Sequence, residues 1–292
     1  MPFEPTYPVT EDRRAYTFIA GRTGLLVLHG FMGSPLSSRP LAQHLHKQGI
    51  TVHCPLLPGH GERPDKLHNI PRRAWLDAAE EGLATIRQYC DEIFLLGHSM
   101  GSVLGASLAA QNSDLRGLIM LAPLYVVPSR ILSFTGLLRH VLPWFSPWRI
   151  KRLQPLARER VLDLYPDLDL EDPRVQAQLP QMTRVPLSGL AEMSKMASHG
   201  RKLWPRLTLP ALILQGQRDI AVRPGSAEAV HEALGSRDKH LSLYPRAGHE
   251  LMRPKDPAHQ QVWAEIEAFI RQRSTHLAAA PLQAEPSPAG ER

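Results

Sequence analysis

Apolar residues in this chain fall into short runs separated by longer stretches with helical spacing. Residues 24–28 read Gly-Leu-Leu-Val-Leu, 50–54 Ile-Thr-Val-His-Cys, 93–96 Ile-Phe-Leu-Leu, 118–121 Leu-Ile-Met-Leu, 211–215 Ala-Leu-Ile-Leu-Gln and 240–244 His-Leu-Ser-Leu-Tyr. Runs of four or five such residues are too short for a helix and apolar enough for strands covered on both faces. Residues 15–20 read as a further edge strand. Helical spacing appears at 39–48 (Leu41, Leu45, with serines before and Gly49 after), at 72–89 (Trp75, Ala79, Leu83, Ile86), at 227–234 and around Val262, Ile266 and Ile270. Strands alternating with helices predict a doubly wound, mostly parallel α/β sheet.

The alternation stops between 124 and 207. That stretch shows no convincing strand, and prolines recur at 128, 143, 147, 155, 166, 173, 180 and 186. It is read as an inserted helical cap, which leaves residues 15–123 and 208–273 as the core. Its clearest segment, 129–142, places Ile131, Phe134, Leu138 and Val141 on one helical face, interrupted by Arg130, Ser133 and Arg139. Residues 1–15 read as an irregular lead-in. Residues 274–292, rich in Ala, Pro, Ser and Glu, read as a disordered tail.

Composition narrows the function classes. At 292 residues the chain can bury a substantial core, and 43% hydrophobic with 21% charged residues is ordinary for a globular protein. No apolar run is long enough to cross a membrane. The start, Met1-Pro2-Phe3-Glu4-Pro5, lacks the basic and apolar regions of a secretory signal. Cys54 and Cys90 make no metal-binding spacing and read as reduced core thiols, so a cytoplasmic location is expected. The net charge of +6 is scattered rather than clustered, and no nucleic-acid motif accompanies it, so no nucleic-acid partner is expected.

The candidate chemistry begins at Gly97-His98-Ser99-Met100-Gly101, placed between a buried strand and a helix of small residues. A Gly-x-Ser-x-Gly sequence in that context is a nucleophile elbow. A serine hydroxyl needs a neutral imidazole to take its proton, and the imidazole needs a carboxylate to fix its tautomer. Asp219 follows the 211–215 run through Gly216-Gln217-Arg218, and His249 follows the 240–244 run through Pro245-Arg246-Ala247-Gly248. In a doubly wound sheet both loops lie at the strand ends that carry Ser99. The order Ser, Asp, His is the one expected for this elbow. His29 reads as bracing its loop, His98 as pointing away from the serine, and His60 as holding a Gly-His-Gly loop. Glu250 is poorly placed to reach the ring of its neighbour His249. Backbone N–H groups of Met100, after the nucleophile, and of Phe31, after His29-Gly30, are the expected oxyanion donors. This chemistry calls for no metal and no cofactor.

The segments His29-Gly30-Phe31-Met32-Gly33-Ser34, Pro58-Gly59-His60-Gly61, Gly97-His98-Ser99-Met100-Gly101, Gln217-Arg218-Asp219 and Ala247-Gly248-His249 together resemble the α/β-hydrolase superfamily. More narrowly, they are similar to its bacterial carboxylesterase and monoacylglycerol lipase group. The resemblance spans about residues 24–270. It implies a Ser99–Asp219–His249 triad with hole amides at Phe31 and Met100. A serine at position 99 sets the chain apart from dehalogenase and epoxide hydrolase branches, which carry an aspartate there.

The implied function is hydrolysis of a small-molecule ester with a medium- or long-chain acyl group through an acyl-enzyme. Phe134, Leu138 and Leu124 are candidate wall residues for the acyl chain. The apolar cap face either packs on the core or lines the acyl pocket, with transient contact with a membrane surface as a further expectation. The same motif also occurs in thioesterases, lysophospholipases and carbon–carbon bond hydrolases. From a different class, a hydrolase-like binding protein without turnover would share the fold. The sequence leaves the physiological ester and the oligomeric state open.

Overall fold

The computed structural model describes residues 11–126, 141–165 and 167–277. Seven strands form one sheet: β1 (Tyr16–Phe18), β2 (Thr23–Leu28), β3 (Thr51–Cys54), β4 (Glu92–His98), β5 (Gly117–Leu121), β8 (Ala211–Gly216) and β9 (Lys239–Tyr244). Their order across the sheet is β1-β3-β2-β4-β5-β8-β9. All neighbouring pairs are parallel except β1 against β3. The mostly parallel sheet expected from the alternation is therefore present, with its antiparallel edge where residues 15–20 predicted an edge strand.

The continuous apolar runs are explained by burial on both faces. In β2, Leu26 and Leu28 point to one core and Leu25 and Val27 to the other. β4 repeats this with Ile93 and Leu95 against Phe94 and Leu96, and β5 with Leu118 and Met120 against Ile119 and Leu121. The first face is covered by α2 (Arg72–Ile86) through Trp75, Ala79 and Leu83, and by α3 (Met100–Ala109) through Val103 and Leu104. The second is covered by α1 (Arg39–Lys47) through Leu41 and Leu45, and by the last helix, His259–Arg271, through Val262, Ile266 and Ile270. A period of two along each strand thus meets periods of three and four on the helices.

Between β5 and β8 the described chain contributes nothing to this sheet. It forms α4 (Gln154–Leu164), two single-turn helices, α5 (Pro173–Gln176) and α6 (Leu179–Met182), and the long α7 (Leu187–Leu203). Val161, Leu170, Val175, Leu179 and Met182 make a small core of their own, while Met196, Ala197 and Leu203 of α7 join the core over α3. The expectation of no strand here needs one correction. β6 (Trp144–Phe145) pairs antiparallel with β7 (Val185–Pro186). Strands of two residues carry no readable period, so their pairing is fixed by side-chain packing: His68 stacks on the Trp144 ring at 5.2 Å and the Arg184 guanidinium lies 4.5 Å above it. Residues 127–140, including the predicted wall residues Phe134 and Leu138, lie outside the described residues.

A second correction concerns residues 274–277, expected to belong to a disordered tail. Ser274 Oγ and Thr275 Oγ1 each donate to the Glu92 carboxylate at 2.8 Å, and Leu277 packs on the core. Glu92 opens β4 nearly buried, and these hydroxyls satisfy a carboxylate that would otherwise be stranded. α8 (Ser226–Ala233) and α9 (His259–Arg271) complete the helices. Cys54 and Cys90 are both buried and unpaired.

The tightest crossing in the fold is α3 over the end of β2. A Cβ built on Gly101 would lie 1.9 Å from the Leu28 carbonyl oxygen, backbone that cannot yield. Gly105, one turn on, would meet only the tip of Leu118 at 2.9 Å. Gly101→Ala is therefore expected to cost about 3 kcal/mol, and Gly105→Ala to stay within about 1 kcal/mol of wild type because alanine favours the helix. Urea unfolding of the two variants checks this, and equal midpoints would remove the crossing argument.

Candidate active site

The elbow forms where β4 ends and α3 begins. Ser99 has φ 53° and ψ −115°, a strained conformation for a residue with a side chain. It is held from both sides: the Ser99 N–H donates to Leu121 O at 2.8 Å, and its carbonyl accepts from Leu124 N–H at 3.3 Å. Leu124 is thus buried directly beside the nucleophile candidate. The Ser99 side chain itself is only half-buried.

The turn after β2 lies against this serine. A Cβ on Gly30 would sit 3.1 Å from Ser99 Cβ and 3.2 Å from the His98 carbonyl oxygen, so a side chain there would press on the elbow. Gly33 N–H donates to Gly30 O at 3.0 Å, closing a turn whose third residue, Met32, has φ 62°. Positive φ at that position is the type II requirement normally met by glycine. The Phe31 N–H belongs to the same turn, outside its closing bond. Met100 is the first residue of α3, where backbone N–H groups have no partner within the helix. The two predicted donors thus come from backbone segments that border the same serine.

Asp219 and His249 meet as the sequence predicted. His249 Nδ1–H donates to Asp219 Oδ2 at 2.8 Å, with the two side chains 8% and 3% exposed. Asp219 Oδ2 also accepts from Gln215 Nε2 at 3.0 Å, and Oδ1 accepts from the N–H groups of Ala221 at 2.7 Å and Val222 at 3.1 Å. Burial disfavours the charge on this carboxylate. The facing imidazole and the donors outweigh burial and hold its pKa below the ordinary value. Burial likewise opposes charge on His249, but Asp219 and then Glu250 raise its pKa above the usual histidine value. With Nδ1 committed to Asp219, Nε2 keeps its lone pair and serves as acceptor.

The other three histidines sort differently. Leu57 N–H donates to His29 Nε2 at 3.2 Å, so His29 carries its proton on Nδ1 and donates it to Gly30 O at 3.1 Å. It braces the turn, as expected. His60 donates from Nδ1 to Pro58 O at 3.0 Å, and its buried Nε2 has no protein partner. Its ring packs on those of Phe31 and Trp75, and Trp75 Nε1 donates to the same Pro58 carbonyl. His98 donates from Nε2 to the His249 carbonyl at 3.0 Å. It tethers the loop of the candidate base, a role that its place inside the elbow motif did not announce. Burial, first among the causes, pushes His60 and His98 down to about 4 and His29 well below the ordinary value.

Ligand atoms of His98, His249 and Glu250 come within 4.8 Å of one another, the one such group among the described residues that could hold a metal. All three members are already engaged, His249 Nδ1 with Asp219, Glu250 with Arg160 and His98 Nε2 with the His249 carbonyl. Gln215 and Glu250 are the side chains that the sequence reading missed or set aside. Gln215 lies next to the end of its strand, four residues before Asp219, a spacing that could have flagged it.

A family model described as Hydrolase_4, serine aminopeptidase S33, matches residues 21–256. The chain belongs to this family. Among curated relatives, the thermostable monoacylglycerol lipase of Bacillus sp. (strain H-257) is 29% identical over 235 residues, 80% of this chain and 86% of that protein. The carboxylesterase of Bacillus subtilis (strain 168) is 22% identical over 258 residues, 87% of this chain and 96% of that protein. Among solved structures, the Paleococcus ferrophilus monoacylglycerol lipase superposes with a TM-score of 0.69 at 20% identity, covering 89% of this chain and 98% of that one. That last similarity shows the α/β-hydrolase fold.

The buried histidines make stability depend on pH. His29, His60 and His98 have folded pKa values below the unfolded value near 6.5, so below that pH the unfolded chain binds more protons and stability falls. At pH 5, His60 and His98, shifted to about 4, each contribute a loss of about 2 kcal/mol, and His29 adds a loss of the same sign. His249, raised in the fold, works the other way: its stabilisation is complete below 6.5 and is lost as pH rises through its folded pKa. Three against one leaves a net loss. Denaturant midpoints at pH 7 and pH 5 are expected to differ, the acid one being lower, and equal midpoints would contradict the neutral assignment of the trio.

Proposed function

We propose that this member of the Hydrolase_4 family is a serine ester hydrolase acting on medium- or long-chain acyl esters, with Ser99, Asp219 and His249 as its catalytic triad. The observation that supports this is the 2.8 Å bond from His249 Nδ1 to Asp219, made on a loop whose His249 carbonyl accepts from His98 of the elbow motif at 3.0 Å. The names of the two Bacillus relatives, a monoacylglycerol lipase and a carboxylesterase, point to the same substrate class.

In the reaction, Ser99 Oγ attacks the ester carbonyl while His249 Nε2 takes the hydroxyl proton. Asp219 stabilises the resulting imidazolium. The carbonyl oxygen becomes an oxyanion that accepts from the Phe31 and Met100 N–H groups, each donor being worth roughly 10²–10³ in rate. As the tetrahedral intermediate collapses, the bond to the alcohol oxygen breaks and His249 returns the proton to it. Water then attacks the acyl-enzyme by the same route, releasing the acid and restoring Ser99.

Residues 124–207 are assigned the role of a specificity cap, with Leu124 at its root beside Ser99 and Phe134 and Leu138 as acyl-chain contacts. Val141 and Leu142, 86% and 57% exposed, support transient contact with a membrane surface. No helix among the described residues is long and apolar enough to cross one. The buried, unpaired Cys54 and Cys90 support the cytoplasmic assignment.

Ser99→Ala is expected to lower ester turnover on the order of 10⁶-fold and to abolish labelling by a fluorophosphonate probe. Asp219→Asn is expected to lower kcat about 10⁴-fold by presenting the wrong tautomer of His249. Near-normal hydrolysis by either variant would refute the triad. A series of p-nitrophenyl esters is expected to favour medium and long chains, with Phe134→Ala flattening the preference; an acetate-only profile would overturn the acyl assignment. Monoacylglycerols, lysophospholipids and acyl thioesters compared on the same enzyme separate the ester reading from its thioesterase and lysophospholipase relatives.

A further inference from the structure

Glu250, the residue after the proposed base, carries a carboxylate whose side chain is only 6% exposed. A charge so placed is tolerated only when paired and hydrogen-bonded. Arg160 Nη2 donates to Glu250 Oε1 at 2.5 Å, while Arg253 Nε lies 3.2 Å from Glu250 Oε2 as an ion pair outside hydrogen-bond geometry. Asp163 faces both arginines, with Arg253 Nη1 at 2.6 Å and Arg160 Nη1 at 3.6 Å. Two guanidinium groups and two carboxylates therefore alternate in a closed ring with no net charge. Arg160 and Asp163 come from α4, in the segment inserted between β5 and β8; Glu250 and Arg253 come from the loop after β9 that carries His249. The ring joins the inserted segment to the loop of the base. The same loop is held by His98, which donates to the His249 carbonyl and whose ring lies within 4.8 Å of the Glu250 carboxylate.

We propose that Arg160 and Glu250 are positioning residues for His249, through which the inserted segment sets both the place and the basicity of the imidazole. This rests on the reading of His249 as the general base. Four groups govern its charge: Asp219 after β8, Glu250 on its own loop, Arg160 on α4 and His98 at the end of β4. Asp219 and Glu250 favour the imidazolium and Arg160 opposes it, while His98 stays neutral near neutral pH. Arg160 thus offsets part of the pull that Glu250 adds to that of Asp219 in holding the proton on His249. A residue that merely propped up the fold would not move the basicity of the base in a direction set by its own charge.

The test is the acid limb of the kcat/KM profile on a p-nitrophenyl ester for wild type, Arg160→Met, Arg160→Lys, Glu250→Gln and the Arg160→Met/Glu250→Gln double variant, with thermal midpoints measured alongside. Arg160→Met is expected to move the limb up by about half a pH unit and Glu250→Gln to move it down by a similar amount. Arg160→Lys keeps the charge and leaves the limb in place, and the double variant returns it close to wild type. Displacement of the ring is expected to lower kcat of Arg160→Met about 10-fold with KM nearly unchanged. Limbs that do not move, or that move the same way in both single variants, overturn the proposal. Should Arg160→Met not fold, Glu250→Gln against Arg160→Lys gives the same decision: a downward limb in the first with none in the second supports it, and any other pattern overturns it. Ser99→Ala run in parallel separates the readings, because full activity there would remove the triad itself rather than the ring.

Discussion

The structure depends on a reversal of the chain too sharp for side chains on its inner surface. At the end of β4 the backbone turns straight into α3, and α3 starts so close to β2 that the Gly101 position is pressed against the Leu28 carbonyl. One consequence is strain: Ser99, Met32 and Ala122 all hold positive φ around this point, at a cost of order 1–3 kcal/mol each. Another is convergence. The strand ends of β2, β4 and β5 are in register across the sheet, so the turn at Gly30, the elbow at Ser99 and the segment leading to Leu124 are carried to one edge. The two fully covered faces of the sheet supply the burial that offsets the strain.

That edge then imposes an electrostatic sorting. The histidines and carboxylates gathered there, His29, His60, His98, His249, Asp219 and Glu250, are largely removed from water, and burial penalises the charged form of each. Where a partner of opposite charge is fixed in place, as for Asp219 with His249 or Glu250 with Arg160, the charge survives. Where the partners are only backbone groups, as for His29, His60 and His98, the imidazoles stay neutral and work as donors or acceptors. The same residue type thus serves as brace, as tether and as the proposed proton acceptor in a space a few residues across. Which role each takes is decided by what faces it, not by its own chemistry.

This explains how much was legible in the sequence. Strand runs at 24–28, 93–96, 118–121 and 211–215 are apolar throughout because both faces are buried, so their positions could be read without knowing the fold. Asp219 and His249 could be read because parallel strands deliver their following loops to one edge and the elbow names that edge. His98 could not, since its partner is a carbonyl 151 residues away. Nor could Arg160 and Glu250, 90 residues apart, whose pairing requires knowing where α4 lies. The β6–β7 pair escaped because two residues show no alternation, and residues 274–277 escaped because their anchors, Thr23, Asp91 and Glu92, lie more than 180 residues away in the chain.

The contrast also bears on how one sheet edge can serve different substrates. The elbow, the turn after β2 and the Asp219 loop are held by backbone contacts and backbone hydrogen bonds, which constrain geometry through the chain itself. The inserted segment is held to the base loop largely by charged side chains: the four-membered ring and the Lys255–Glu159 pair at 2.7 Å beside it. Such contacts are directional, and losing one partner leaves the other charge buried and uncompensated. Substitutions elsewhere in the inserted segment can therefore reshape a pocket without touching the chemistry, provided the ring survives. Substitutions in the ring act on the loop that carries the candidate base. Under the proposed cap role, the segment is free to vary in what it recognises and constrained in how it grips that loop, and the boundary between the two runs through Arg160 and Asp163.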